Sequence, residues 1–193
     1  MFDMRTKMFN RRASRPQSKP DAVVKSLDLR PGQIIADIGS GGGFFSFRFA
    51  QEVGNGGKVY AVDVNSAMLN YVRKESVTMG LSNLSTVPAK DFFSTVSPGS
   101  LNVVFLRNVY HHLEDPVTYF AQVRRYLEPD GKVAIIDYKG DTPGLSFFKL
   151  FKHSVTPNQV TEDMTEAGYA LDHSLDFLPE QYFLVFTQKH GGT

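Results

Sequence analysis

The 193-residue sequence contains no cysteine. Disulfide bonds, thiolate metal sites and cysteine nucleophiles are therefore excluded, and a reducing cytoplasm would suit such a chain. The sequence also lacks an apolar stretch of about 18 residues and the apolar core of a secretory signal, so we expect a soluble, cytoplasmic protein without a transmembrane segment. It has no internal repeat, and its length suits a single domain.

Charge is balanced overall but unevenly distributed. The net charge is +1, yet residues 1–30 carry eight lysines and arginines against three aspartates, a local charge of +5. A basic arm can contact nucleic acid or anionic lipid. These cations are scattered and lack the interleaved aromatic residues of a nucleic-acid surface. We therefore predict an arm over residues 1–19 that folds over a ligand as a lid or stays solvated, and we do not expect nucleic acid as a partner.

Apolar runs of strand length alternate with helical patterns from Pro20 onwards. The runs predict strands over 33–38, 59–64, 84–88, 101–109 and 132–138. The helical patterns cover 44–53, 66–80, 114–127 and 156–168. Ser66 is the candidate N-cap of the second of these helices, and Asp115 is that of the third, with Pro116 at its first helical position. This rhythm predicts a doubly wound α/β fold, a parallel sheet with helices on both faces.

The end of the sequence departs from this alternation. Two strand-like runs, 169–177 and 181–189, are separated only by Leu178, Pro179 and Glu180. A connection this short joins antiparallel strands. The pattern therefore predicts a hairpin at one edge, which makes the sheet mixed.

Four glycines follow the first predicted strand in the segment ADIGSGGGFF, residues 36–45. Ligands of such sheets bind beyond the carboxyl ends of the strands, and glycine lets backbone N–H groups approach them closely. A phosphate loop would need a lysine that is absent here, and a dinucleotide fingerprint would need glycine where Phe44 stands. The spacing that fits is Asp37-x-Gly39-x-Gly41-x-Gly43.

Asp63 ends the second predicted strand, 20 residues after Gly43. A carboxylate at this place can accept hydrogen bonds from both hydroxyls of a ribose. A glycine-rich turn alone is weak evidence, and Asp63 can equally cap the next helix. Together the two features indicate an adenosine-containing ligand without a pyrophosphate, and Asp37 suits a cationic ammonium better than a phosphate.

These motifs resemble the class I S-adenosylmethionine-dependent methyltransferases, particularly the group of ubiquinone and menaquinone C-methyltransferases (methyltransferase type 11). The resemblance runs from about Pro20 to Lys189 and rests on IADIGSGGG, VYAVDVNSAML, RNVYHHLEDP and LEPDGKVAIIDY, in that order. It implies S-adenosyl-L-methionine as cofactor and a Rossmann-like, seven-stranded mixed sheet whose last strand is antiparallel. Asn102 and the Asp130-Gly131 pair depart from the family pattern, at positions that should not touch the cofactor.

The resemblance also implies roles for individual residues. The glycine turn would hold the methionine part and the ribose, Asp63 would bind the ribose hydroxyls, and Asp91 would bind the adenine amino group. Val64 and Met68 would flank the adenine. The complete predicted cofactor-binding set is Asp37, Gly39, Ser40, Gly41, Gly43, Asp63, Val64, Met68, Lys90, Asp91, Arg107 and Asn108.

The ends of the fourth and fifth strands are the predicted acceptor side. A general base is needed only if the acceptor carries a proton, and Tyr110, His111 and Asp137 are the candidate catalytic residues. Because His111 and His112 are adjacent, we expect them to point in opposite directions, with His111 facing the site and His112 near Pro116. Both can equally serve only to satisfy local backbone groups. No metal site is expected.

Residues 142–156 are apolar and are predicted to cap the pocket, although they can also complete the core or rest peripherally on a membrane. We predict a single methyltransferase domain over 20–193 that transfers a methyl group in line to a small, apolar molecule, as a monomer or homodimer. The alternatives are a non-catalytic S-adenosylmethionine-binding module, an RNA methyltransferase and a nicotinamide oxidoreductase. Arsenic methylation is disfavoured because it needs thiolates.

Overall fold

A computed structural model of the chain describes residues 8, 10, 11, 13–139 and 155–189. Its strands form one sheet in the order β3-β2-β1-β4-β5-β7-β6. The strands are β1 (Ile34–Ile38), β2 (Lys58–Asp63), β3 (Leu84–Pro88), β4 (Leu101–Arg107), β5 (Leu127–Tyr138), β6 (Tyr169–Leu175) and β7 (Gln181–Gln188). β1 to β5 pair in parallel, and β7 runs antiparallel to both β5 and β6. The predicted seven-stranded mixed sheet with an antiparallel last strand is confirmed.

Helices cover both faces of this sheet. They are α1 (Pro20–Ser26), α2 (Phe44–Val53), α3 (Ser66–Thr78), α4 (Phe92–Thr95), α5 (Pro116–Val123) and α6 (Pro157–Glu166). In β4, Val103 and Phe105 pack in a core with α1, α2 and α3, whereas Val104 and Leu106 pack in a second core with α4, α5 and α6. The two cores alternate residue by residue because successive strand side chains point to opposite faces.

The N-cap predicted from the sequence is confirmed at one helix and wrong at another. Asp115 caps α5 by accepting a hydrogen bond from Thr118 N–H at 3.0 Å, with Pro116 at the first helical position. The prediction of Ser66 as the N-cap of α3 is wrong, because the cap is Asn65, whose Oδ1 accepts from Ala67 N–H at 3.0 Å. Asn and Ser cap helices about equally well, but Asn65 has the extended backbone of an N-cap (φ −94°, ψ 106°), whereas Ser66 is already the first helical residue.

The element boundaries show where local patterns suffice. α2 and β3 begin and end where the sequence predicts. β5 instead begins at Leu127, five residues before the predicted Lys132, because residues 128–131 continue the strand across a register shift opposite Leu101 and Val103. Most of the predicted cap, 142–156, lies outside the described residues.

The described part of the chain contains no helix that is both long enough and apolar enough to cross a bilayer.

Candidate active site

The glycine turn lies at the carboxyl end of β1 and leads into α2. Gly39, Gly41 and Gly43 have φ angles of +69°, +52° and +76°, a left-handed conformation that favours glycine. Gly39 N–H and Ser40 N–H donate to the carbonyl oxygen of Val62, at 2.8 and 3.0 Å, which fastens the turn to the end of β2. A Cβ on Gly41 would have no atom within 4 Å. The turn therefore presents bare backbone to open space.

A cavity of about 580 Å³ opens beside this turn, a size typical of small-molecule sites. Its wall includes the glycine turn, the ends of β4 and β5, and the beginning of β7. Because β7 is antiparallel to the other strands, its first residue, Gln181, lies at the same edge as their carboxyl ends. Phe44, Phe45, Phe105 and Tyr138 supply aromatic rings to the wall.

Asp63 joins the second strand to the glycine turn. Its Oδ2 accepts from Gly41 N–H and its Oδ1 accepts from Asn65 N–H, both at 2.8 Å. Each carboxylate oxygen has a second lone-pair direction, so both can still accept hydrogen bonds from a ligand. The two halves of the predicted cofactor site are therefore in direct contact, a link that the spacing in the sequence does not reveal.

The predicted adenine contacts Val64, Met68 and Asp91 lie beside Asp63, outside the cavity wall, and so does Lys90 of the predicted cofactor-binding set. Val64 is 90% exposed and Met68 is buried on α3. Asp63 is paired with Pro88 of β3, so the following 3₁₀ turn, which contains Lys90 and Asp91, reaches the same edge of the sheet. These positions offer an open surface rather than a closed pocket.

Asp37 is a buried carboxylate on the cavity wall. Its Oδ2 accepts a hydrogen bond from Ser46 Oγ at 2.5 Å. Burial raises the pKa of Asp37 from 3.8 to about 7, with a smaller contribution from the charge of Asp63, while the hydrogen bonds from Ser46 oppose the rise. A cationic group bound nearby would favour the ionised carboxylate.

Arg107, at the end of β4, is held by β7 and the N-terminal arm. Its Nη2 donates to Gln181 Oε1 at 2.7 Å and to the carbonyl oxygen of Ser18 at 3.3 Å. The guanidinium lies 5.0 Å from the centre of the Phe45 ring. Burial lowers the pKa of Arg107 to about 10. None of these contacts involves the glycine turn itself.

Asn108 follows Arg107 with a φ of +57°, an uncommon conformation for a residue other than glycine. Its Oδ1 accepts from Gln181 Nε2 at 2.5 Å, so Gln181 bridges Arg107 and Asn108. Gln181 was not among the site residues predicted from the sequence. The signal was present, because the first residue of an antiparallel last strand must lie at the ligand edge of the sheet.

His111 lines the same cavity and forms a close pair with Asp137, a buried residue that is not part of the lining. His111 Nδ1 lies 2.9 Å from both carboxylate oxygens of Asp137, which is 2% exposed. A carboxylate only accepts, so Nδ1 carries the hydrogen and Nε2 is left as the proton acceptor. The described residues contain no cluster of three side chains that could hold a metal ion.

Two expectations at this turn are wrong. His112 does not point away from His111; the ring centres are 4.0 Å apart and both side chains line the cavity. Tyr110 lies in the core away from the cavity, and its hydroxyl donates to Asp163 Oδ2 at 2.8 Å. The reason is local, because Tyr110–His112 is a 3₁₀ turn in which successive side chains diverge by about 120° rather than 180°.

The N-terminal arm forms part of the cavity wall. Asn10 Nδ2 donates to the carbonyl oxygen of Gly42 at 2.9 Å, and a Cβ on Gly42 would collide with Asn10. Ala13, Arg15 and Gln17 also line the cavity. The sequence predicted an arm here but not which of its residues reach the site.

The departures from the family pattern lie at the opposite edge of the sheet. Asn102 accepts from Ile34 N–H and donates to Glu128, both at 2.7 Å. A Cβ on Gly131 would stand 2.8 Å from the carbonyl oxygen of Leu101, so this position requires glycine. Both serve the packing of the strands.

Comparison with known proteins agrees with this geometry. The family model described as "Methyltransferase domain" matches residues 29–189. The ubiquinone/menaquinone biosynthesis C-methyltransferase of Cupriavidus metallidurans is 30% identical over 182 residues, which span 88% of this chain and 71% of that protein.

Two solved structures share the fold. The structure of a SAM dependent methyltransferase from Aquifex aeolicus has a TM-score of 0.76 at 22% identity, covering 93% of this chain and 96% of that one. Phosphoethanolamine N-methyltransferase 2 of Haemonchus contortus, in complex with S-adenosyl-L-methionine, has a TM-score of 0.67 at 24% identity, covering 80% and 37%. With the family match over most of its length, the chain belongs to the methyltransferase domain family and is a class I S-adenosylmethionine-dependent methyltransferase.

Proposed function

We propose that this methyltransferase acts on a small molecule with an apolar body, and that His111 takes a proton from the acceptor atom during transfer. The observation that carries the proposal is the position of His111 on the wall of the 580 Å³ cavity beside the glycine turn, where it is paired with the buried Asp137. S-adenosylmethionine, when bound, supplies a methyl group on a sulfonium that is already activated for in-line displacement.

The residues of the glycine turn fit this cofactor. Gly41 offers open backbone where any larger residue would fill the space. Asp63 has both carboxylate oxygens fixed by backbone N–H groups and can still accept from ribose hydroxyls. Asp37 is placed to meet a cationic ammonium on the cavity wall. These three residues would hold the cofactor's ribose and amino-acid parts.

The acceptor side supports an apolar body with one proton-bearing group. Phe44, Phe45 and Phe105 provide ring surfaces for it. Asp137 holds the Nδ1–H of His111 and so keeps the imidazole oriented, with Nε2 as the base. A phenol, an amine or an acidic C–H group would each need such a base.

The arm supports the exclusion of water from this site. Its residue Asn10 is hydrogen-bonded to the glycine turn, and the carbonyl oxygen of Ser18 accepts from Arg107. We propose that the arm is a lid over the cavity. Lids of this kind keep water from the reacting groups.

The test is to offer matched acceptors with and without a removable proton. The enzyme would be incubated with S-adenosylmethionine and either phenols or the corresponding anisoles, and S-adenosylhomocysteine would be measured by mass spectrometry. We expect turnover with phenols only, and a fall of roughly 10²–10⁴-fold for His111→Ala. The exposed Arg73 on α3 supplies the control Arg73→Gln, which should match the wild type. Equal turnover by His111→Ala would contradict the proposed base.

A further inference from the structure

Arg107 is a desolvated cation on the cavity wall without an anionic partner among the described residues. Its Nη2 is used by Gln181 and Ser18, both neutral groups. Its Nη1 is buried and makes no hydrogen bond to the described part of the chain. Proteins rarely bury a guanidinium without a carboxylate or phosphate, because losing water is costly unless the charge is paired. The arrangement therefore calls for an anion supplied from outside the chain.

The position of Arg107 relates this anion to the acceptor. Arg107 is the last residue of β4, His111 lies in the turn that follows this strand, and both line the cavity. The hydrogen bonds of Arg107 go to β7 and the arm, whereas the predicted ribose and adenine positions lie at the ends of β2 and β3. Since β1 separates β2 from β4 in the sheet, Arg107 is on the acceptor side.

The other charges on the wall favour a single negative charge on the ligand. Arg15 adds a second cation, while Asp37 and Glu180 are carboxylates on the same wall. The two arginines and the two carboxylates cancel formally, so the wall has no excess positive charge to match the second negative charge of a dianionic phosphate. A carboxylate also matches the planar guanidinium, which can donate two parallel hydrogen bonds to it.

We infer that the methyl acceptor carries a carboxylate, which Arg107 binds in place of its contact with Ser18. The inference rests on the proposed function, since it concerns the substrate of the same site. The 3.3 Å hydrogen bond to Ser18 is the longer of the two made by Nη2, so it is the one that a carboxylate would replace. Arg107 would thereby select acidic acceptors over neutral ones of the same size.

The test is calorimetric titration of the S-adenosylhomocysteine-loaded enzyme with benzoate and benzamide, which differ mainly in charge. We expect benzoate to bind at least tenfold more tightly than benzamide. Arg107→Gln should remove the difference, and Arg107→Lys should keep part of it, because lysine retains the charge without the planar fork. Arg73→Gln is the matched control and should leave the preference intact.

Three results would overturn the inference. One is equal affinity for benzoate and benzamide in the wild type. The second is phenyl phosphate binding tenfold more tightly than benzoate. The third is a tenfold loss of S-adenosylhomocysteine affinity in Arg107→Gln with no loss for 5′-methylthioadenosine, which lacks the amino-acid part, because the carboxylate would then be the cofactor's own. Failure of the wild type to bind S-adenosylhomocysteine at all would instead contradict the proposed function.

Discussion

At the scale of single residues, Asp37 links the site to stability. The unfolded chain binds a proton at this side chain near pH 3.8 and the folded chain does so at about 7. Between these values the folded state holds the extra proton, so the free energy of unfolding falls as the pH rises. Asp37→Asn cannot ionise, and we expect its stability relative to wild type to increase by roughly 2–3 kcal/mol from pH 5 to pH 8.

Urea unfolding at the two pH values measures this difference. The exposed Glu52 on α2 supplies a control, and Glu52→Gln should follow the wild type at both. A constant offset between Asp37→Asn and wild type would show that Asp37 ionises in the folded protein as easily as in water. The same exchange is expected to weaken S-adenosylmethionine binding, because the amide offers no charge to the ammonium.

At the scale of elements, substitutions in the glycine turn distinguish effects on folding from effects on ligand binding. Ala at any of its positive-φ positions costs about 1–2 kcal/mol of strain. At Gly39 the new methyl would also collide with Val109, whereas at Gly41 it would enter open space. We therefore expect Gly39→Ala to lose more stability, and Gly41→Ala to stay folded but bind S-adenosylhomocysteine at least tenfold more weakly.

Gly80 is the matched control for this pair. Its φ is +69°, and a Cβ on it would also have no atom within 4 Å, but it follows α3 and does not line the cavity. Gly80→Ala should lower the Tm because of the same backbone strain. Its affinity for S-adenosylhomocysteine, measured by calorimetry, should not change. Equal affinity of Gly41→Ala and Gly80→Ala for the ligand would show that the cofactor does not bind against the glycine turn.

The arm gives a second prediction at this scale. Asn10→Ala removes the hydrogen bond to Gly42 and should release the arm by about 0.5–1.5 kcal/mol. Stopped-flow measurement should then show S-adenosylhomocysteine dissociating a few-fold faster. Ser14 lies in the same arm, but its hydroxyl donates to the carbonyl oxygen of Arg11 and to no residue outside the arm in the part of the chain that the structure describes, so Ser14→Ala should not change the rate. An unchanged rate in Asn10→Ala would argue against the lid.

The sequence predicts those features that local chemistry determines. Glycine and proline mark the limits of α2 and β3, and the alternation of strands and helices brings Gly41 and Asp63 to one edge of the sheet. The rest depends on how elements that are distant in the sequence meet in the fold. Gln181 reaches the site through strand pairing, and Asn10 reaches it through the path of the arm. The error at Tyr110 came from extending strand geometry into a 3₁₀ turn.

At the scale of the whole molecule, the cavity joins distant parts of the chain. The beginning of β7 and the arm residue Ser18 meet at Arg107 of β4, 74 and 89 residues away along the chain. β7 in turn pairs with β5 through the register from Lys132 to Tyr138. A ligand in this cavity therefore contacts β4 and β7, which separate only when the sheet itself comes apart. The arm can open locally to let the ligand dissociate, but the stability that binding adds should appear in global unfolding.

Thermal unfolding measures this link. At one hundred times its Kd, S-adenosylhomocysteine stabilises the folded state by about 2.7 kcal/mol, which for a chain of this size raises Tm by roughly 5–10 °C. Asp63→Ala removes the hydrogen-bond acceptor of the ribose hydroxyls and should lose roughly 1–3 kcal/mol of binding free energy. At the same concentration its shift in Tm should then fall by roughly a third to nine-tenths. NAD should produce no shift in either protein, and a shift with NAD alone would favour the nicotinamide alternative, because the edge formed by Gly41 and Asp63 would then hold a pyrophosphate.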